Sequence, residues 1–399
     1  MRYAVKSLLL FIFLYSSDKG RELYSVWVLN PHDQDSLITV SISAVGDIMC
    51  HSVQYNYAHV SADSFDFSPV FSEIKKYLNQ SDFLFGNFET VTAGKKAGYS
   101  GYPLFNSPDA FITALRNAGF DLLTTANNHA LDRSESGLRK TIEQIKRNYI
   151  NYNGTFLSKA DKDSIRIFDI RGIKVAFLAY TYGSNGIPVP KGKEYVINII
   201  DTTLIRNDIK NARQEGVDVV LVHFHFGDEY QRFPNSYQKE VVAKTIKAGA
   251  DIIIGGHTHV LQPIDYFKTK DTKLDTGFVI YSMGNFISNQ RWRYSDGGAI
   301  LTFTITKDIA KDSVILEKVE YLPIWVFKGT TKLGNEYIII PSQAAFSDSL
   351  FNFLSPADRN LASKSFYDTK AILTEYSLKP RLKDLFPGII YGLEHLSFH

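Results

Sequence analysis

Seven short apolar, β-branched runs recur along the chain: SLITVSISAVGD, SDFLFGNFE, FDLLTTANNH, IKVAFLAYTY, VDVVLVHFHFG, ADIIIGGHTH and GFVIYSMGNF. Runs of this length bounded by turn residues read as strands, and amphipathic segments lie between several of them. Alternating strands and helices restrict the chain to an α/β architecture. Three helices announce their ends. One spans 107–119, with Ser107 as N-cap, Pro108 in the first turn and Gly119 as stop; a second runs from Asp201 to Gly216; a third, 235–249, closes on Gly249. Residues 297–327 read as antiparallel strands, and 331–399 as a C-terminal helical and irregular appendage without visible chemistry. The main domain is expected over 38–330.

The polar residues fall where the apolar runs stop. Asp47 ends one run; Asn87 and Glu89 end another; Asn127, Asn128 and His129 a third; His223 and His225 a fourth; His257 and His259 a fifth. The carboxyl ends of strands in an open α/β sheet line the ligand crevice, so residues distant in sequence gain one meeting place. On an extended chain residues i and i+2 point to the same side, so each histidine pair is expected to face one site. Gly255 and Gly256 just before the last pair permit close backbone approach there. With Cys50 as the only cysteine, thiolate zinc sites are excluded. Imidazole, carboxylate and amide donors suit manganese, iron, zinc or cobalt rather than calcium. Any one of these motifs alone is more often turn chemistry than a ligand. Five on five strand ends are hard to assign that way.

Bulk properties remove other classes. The 44 basic and 42 acidic residues are interspersed and leave a net charge of +2, which offers no polybasic surface for nucleic acid. The 14% aromatic content reads as core packing before it reads as a stacking surface. At the N-terminus, Arg2 and Lys6 precede the apolar run Leu8 to Tyr15, the layout of an export signal or short anchor over 1–20, too short for an ordinary spanning helix. Export to the periplasm or cell surface is therefore expected, with membrane association only through the N-terminus.

In order along the chain, VGDIM (45–49), GNFET (86–90), TANNHALD (125–132), VHFHFGDEY (222–230), GGHTHVLQP (255–263), YSMGNFISNQ (281–290) and YLPIW (321–325) resemble the motif series of the CapA family of capsule or poly-γ-glutamate biosynthesis proteins. That family is in turn similar to the calcineurin-like metallophosphatases. The resemblance implies a four-layer αββα fold, a two-sheet sandwich flanked by helices, with a metal centre of one or two ions at the strand ends. It also implies roles for residues. Asp47, Glu89, Asn128, His223, His257 and His259 stand where metal ligands are expected, with Glu89 as the bridging carboxylate, and His129 stands where the phosphatases have a general acid or phosphate-orienting histidine. Met49 occupies the position of a phosphatase histidine, so His51, with His225 and Asn87, is a further candidate for ligation or ligand support. Asp228, Glu229, Asn285 and Gln290 are typical of CapA-like chains and are candidates for substrate contact.

The function so implied is metal-dependent hydrolysis of a phosphoester or related bond at the cell envelope. The alternative is a non-catalytic component that exports or anchors an anionic polymer together with envelope-assembly proteins.

Overall fold

The computed structural model describes residues 36–347, 349–374 and the two-residue strand 381–382. The expected export signal, 1–20, lies outside these residues, as does most of the chain beyond 374. The strands, in chain order, are β1 (Leu37–Ile48), β2 (His59–Ser61), β3 (Ser64–Phe65), β4 (Phe83–Phe88), β5 (Leu122–Thr124), β6 (Asn151–Asn153), β7 (Arg166–Ile170), β8 (Ile173–Thr181), β9 (Val219–His225), β10 (Ile252–Gly256), β11 (Ile264–Lys268), β12 (Thr276–Ile280), β13 (Asn285–Ile287), β14 (Gly297–Asp308), β15 (Ser313–Thr331), β16 (Gly334–Pro341) and β17 (Arg381–Leu382). All seven sequence runs contain a strand.

Two sheets result. One has the order β16-β15-β14-β1-β4-β5-β6, with β13 paired to β1 and β17 to β15; the other has the order β11-β12-β10-β9-β8-β7. Within them β1, β4, β5 and β6 run parallel, as do β8, β9, β10 and β12. Strand periodicity assigns the faces. Val40, Ile42, Ala44, Phe83, Phe85 and Leu122 from the first sheet interlock with Val219, Leu221, Ile252, Ile254 and Phe278 from the second, forming one core between the sheets.

The alternate residues face helices. Leu84, Phe88 and Leu123 meet Phe111, Ile112, Leu115, Leu138 and Ile142. Val220, Val222, Phe224 and Ile253 meet Ile205, Ile209, Val241 and Val242. The layers are therefore helix, sheet, sheet, helix, as the family resemblance implied.

Local chemistry explains the helix ends. The Asp201 carboxylate accepts from the backbone N–H of Thr203 at 2.7 Å and of Leu204 at 3.1 Å, capping helix Thr202–Gln214. Asn235 and Gln238 form a capping box on helix Ser236–Lys247. The first expected helix starts later than Ser107: it spans Ala110–Ala118, and the Ser107 hydroxyl instead bonds Thr90 Oγ1 at 2.7 Å.

The boundary drawn at 331 does not follow the structure. The hairpin β15–β16 crosses it, with Trp325 paired to Ile340 and Thr331 to Gly334. Helix Pro356–Thr374 then buries Ala362, Phe366, Ile372 and Leu373. The continuous β-branched run in EYIIIP is itself a strand signal.

One irregularity positions the site. In β1 the pairing with β4 runs Ala44 to Phe85 and Val45 to Gly86, then skips Gly46 and resumes with Asp47 to Asn87. This bulge inserts one residue and reverses the alternation. Val40, Ile42 and Ala44 face the other sheet; were Gly46 paired regularly and not skipped, Asp47 would face the helices with Val45. A Cβ on Gly46 would sit 1.9 Å from the Gly284 carbonyl oxygen, so no other residue fits. Gly46→Ala is expected to lower stability by about 1–3 kcal/mol and to weaken divalent-metal binding, as read by urea denaturation and metal titration; unchanged values for both would remove this role for the bulge.

Candidate metal centre

The inward faces of both sheets are apolar along most of their length and become polar at one end. On β9, Val219 and Leu221 point between the sheets, and His223 and His225 continue that row. On β4, Phe83 and Phe85 are followed by Asn87, with Glu89 just beyond the strand. Asp47, Glu89, His223, His225, His257 and His259 are each 4% exposed or less.

Donor atoms of Glu89, His225 and His257 lie within 4.8 Å of one another, and so do those of Asp47, Glu89 and His259. Glu89 belongs to both triads. Its Oε1 is 3.4 Å from His225 Nε2 and 3.9 Å from His259 Nε2, yet neither carboxylate oxygen has a hydrogen-bond partner. His257 Nδ1 is also buried and unpartnered. Unpaired buried carboxylates cost several kcal/mol, so a donor set of this kind fits a divalent cation in each triad, with Glu89 between them.

The backbone at 255–259 brings the last two histidines in. Gly256 ends β10 opposite His225, and a Cβ there would approach Asp47 Oδ1 to 2.7 Å; one on Gly255 would meet the Tyr281 carbonyl oxygen at 1.9 Å. His257 and His259 then adopt positive φ of 90° and 59°. They converge through this left-handed turn and not through strand alternation, which differs from the expectation. Strained backbone of this kind persists where its surroundings over-determine it. Here the His257 N–H donates to Asp47 Oδ2 at 3.0 Å.

Amides support the ligands. Asn87 Nδ2 donates to Asp47 Oδ1 at 2.8 Å and lies 3.1 Å from His225 Nδ1, and Asn127 Nδ2 donates to Asn87 Oδ1 at 3.2 Å. Asn128 Oδ1 is 2.8 Å from His225 Nε2. Asn285 Oδ1 is 3.1 Å from His259 Nδ1, while its Nδ2 donates to Gln290 Oε1 at 2.9 Å and to the Ser295 carbonyl at 2.9 Å. Gln290 Nε2 donates in turn to the Tyr230 hydroxyl at 3.1 Å.

Other candidates sit outside the triads. His223 lies one pleat deeper on β9 than His225, with Nδ1 buried and unpartnered. His51 caps helix Ser52–Ala58, and its ring meets Phe105 edge-on at 5.2 Å. His129 meets the same phenylalanine at 4.7 Å, and its Nδ1 lies 2.8 Å from Asp132 Oδ2. Asp228 accepts from Asn235 Nδ2 at 2.8 Å on an exposed loop with Glu229. Asp132, Tyr182 and Tyr230 were not singled out in the sequence; Asp132 stood within the NNHALD motif three residues after His129.

Electrostatics separate the groups. Burial raises Asp47, but the His259 hydrogen bond, the His225 and His259 rings and the Asn87 amide outweigh it and hold the carboxyl well below its usual range. Burial and the Asp47 charge push Glu89 far up. Burial lowers His223 and His225 to about 3. Burial also disfavours the charged form of His259, yet Glu89 and Asp47 raise it to about 9.

Residues 41–290 match the family model described as Bacterial capsule synthesis protein PGA_cap. The chain belongs to this family. Two relatives within the range of such proteins are Capsule biosynthesis protein CapA of Bacillus anthracis, 28% identical over 279 residues, and PGA biosynthesis protein CapA of Bacillus subtilis, 30% identical over 275 residues. The matches cover 68% and 67% of this chain, and 65% and 68% of the two relatives; against the first, the chain spans just under two thirds of the relative's length. Solved structures to which this PGA_cap chain is similar include Haemophilus influenzae NAD nucleotidase, with TM-score 0.46 and 14% identity over 90% of this chain and 67% of that one. Another is the calcineurin-like phosphoesterase YfkN of Bacillus subtilis, with TM-score 0.41 and 17% identity over 72% of this chain and 90% of that one.

Two outcomes follow from the unpaired acid and the raised imidazole. In metal-stripped protein, Glu89→Gln is expected to raise stability by about 1–3 kcal/mol while weakening divalent-metal binding, because it removes an acid that burial without a hydrogen-bond partner makes costly either to keep charged or to protonate; a destabilised variant in urea denaturation would contradict this. Below about pH 9, His259 holds a proton that a cation must displace. Metal affinity is therefore expected to rise with pH from 6 towards 9, on the order of tenfold per unit for this one group. Calorimetry in buffers of different ionisation enthalpy measures the protons released, and a value of zero would be the contrary result.

Proposed function

We propose that the protein is a divalent-metal-dependent hydrolase of a phosphoester or related bond, acting in surface-polymer synthesis. The observation that carries this reading is Glu89: a buried carboxylate with no hydrogen-bond partner, shared by two triads of ligand-type atoms. The donor set of imidazoles and carboxylates suits manganese, iron or zinc. Asp47, Glu89 and His259 would hold one ion, and Glu89, His225 and His257 the other. When bound, such ions supply Lewis-acid charge for a phosphoryl centre and for the water that attacks it.

The chain's own residues supply the rest. Asp132 Oδ2 accepts from His129 Nδ1 and also from the Phe105 N–H at 2.7 Å, which fixes the ring's orientation and leaves Nε2 as the nitrogen that exchanges a proton. In this reading His129 Nε2 protonates the leaving oxygen. Asn87, Asn128 and Asn285 hold the imidazoles in place, and the sandwich behind them excludes water.

A second reading starts from the Bacillus relatives, whose names speak of capsule and PGA biosynthesis, and makes this chain a non-catalytic component that exports or anchors an anionic polymer with envelope-assembly proteins. Both readings place the protein at the cell envelope. Support for that comes from the charge and hydropathy pattern of residues 1–20.

Elemental analysis of protein purified without chelator, with hydrolysis of bis(p-nitrophenyl) phosphate, separates the two. His129→Ala is expected to retain metal and to lose about 10²–10⁴ in turnover, and Asp47→Ala to lose metal and turnover together. Metal-loaded wild type without hydrolysis of phosphoesters would leave the second reading.

A further inference from the structure

Two tyrosines stand at the mouth of the centre, one against each triad. The Tyr182 ring lies 4.6 Å from His257 at 41°, and the Tyr230 ring 5.9 Å from His259 at 38°. Both are anchored. Tyr182, next after β8, donates its N–H to the His225 carbonyl at 2.9 Å, and its hydroxyl donates to Asn185 Oδ1 at 3.2 Å, the atom that also accepts from Asn128. Tyr230 holds a positive φ of 64°, unusual for an aromatic residue, with its N–H on the Thr258 carbonyl at 2.7 Å and its hydroxyl on Gln290. Yet each residue keeps more than a third of its surface exposed, 39% and 38%. Trp292, 51% exposed, meets Tyr230 edge-on at 5.2 Å and 72° and turns the wall into a corner.

Single exposed aromatics need no explanation, but these rings are fixed in place around one opening. The charge that acts most strongly on both phenols is that of Glu229, an exposed carboxylate on the loop beside Tyr230. Carboxylates accept hydrogen bonds only, so the rim suits hydroxyl donors and repels further anionic groups. An open corner of rings also differs from the parallel slot that a flat base requires.

We propose that Tyr182, Tyr230 and Trp292 form a saccharide-binding platform, so that the group lodged beside the two triads is a sugar ring bearing the ester and not a stretch of polyanion. The ester half of this statement rests on the hydrolase reading above; the ring half does not.

Two measurements on the full chain test it. In manganese-treated protein, tryptophan fluorescence titration compares glucose 1-phosphate with glycerol 3-phosphate, which carries the same charge without a ring. The hexose phosphate is expected to bind about tenfold more tightly, of the order of one aromatic contact. Tyr182→Ala and Tyr230→Ala should reduce that preference to about twofold, and Tyr182→Phe and Tyr230→Phe should keep it. Equal binding in the wild type, an undiminished preference in both alanine variants, or equally strong competition by oligo-γ-glutamate overturns the platform while leaving hydrolysis standing. In chelated protein, saturation-transfer NMR with methyl glucoside reads the platform without metal or ester. Transfer that the alanine variants lose supports it even if no phosphoester is ever cleaved, and absence of transfer in the wild type overturns it.

Discussion

Glu89 is a carboxylate sealed between two β-sheets with nothing to hydrogen-bond, and the rest of the molecule is arranged around that fact. The intersheet core that surrounds it is aliphatic and aromatic for most of its depth, from Val40 and Phe85 to Leu221 and Ile254. A low-polarity enclosure of this sort makes each charge inside it felt strongly. Asp47, pulled down by His259, His225 and Asn87, stays ionised, while Glu89 is forced towards its neutral form. Two acids a few ångströms apart are thus pushed in opposite directions before any ion arrives. That asymmetry is a property of the enclosure and not of either residue.

The amides finish the arrangement. Asn87, Asn127, Asn128 and Asn285 are all buried, and each is tied to a ligand or to another amide of the set. Through Asn285 and Gln290 the order extends from His259 to Tyr230 at the rim, and through Asn128 and Asn185 from His225 to Tyr182. Metal-type donors and surface rings are therefore parts of one hydrogen-bonded body, which is how an exposed tyrosine can be as well placed as a buried histidine.

Much of this was legible in the chain, and what was not has physical causes. Apolar runs ending in His, Asp, Asn and Glu gave the strand ends, and the ordered motifs gave the family. Period-two alternation placed His223 and His225 on the same face correctly, but it could not say which of them reaches Glu89, since that depends on depth along the strand relative to another sheet. The convergence of His257 and His259 was anticipated for the wrong reason: positive backbone angles bring them together, and propensity gives no warning of positive φ at histidine. Tyr182 carries no signal, because a tyrosine after a strand is ordinary until its neighbours are known, and Tyr230 closes the motif VHFHFGDEY with nothing in the sequence to mark its ring. The strand Gly334–Pro341 was passed over because the polar segments beyond it resembled a tail, and only its pairing partner in Ser313–Thr331 reveals it as sheet.

The skipped residue at Gly46 means that this end of the strand is counted as well as composed. Were Gly46 instead paired in the ladder, everything after it would rotate by half a pleat, turning Ile48 towards the acid cluster and the Asp47 carboxylate towards Phe88 and Leu123. Substitutions elsewhere can be explored by small steps, whereas such a slip of register trades oil for charge on both faces at once. Among descendants of this sequence, the glycine at the skipped position should thus change far less than the loops that follow it.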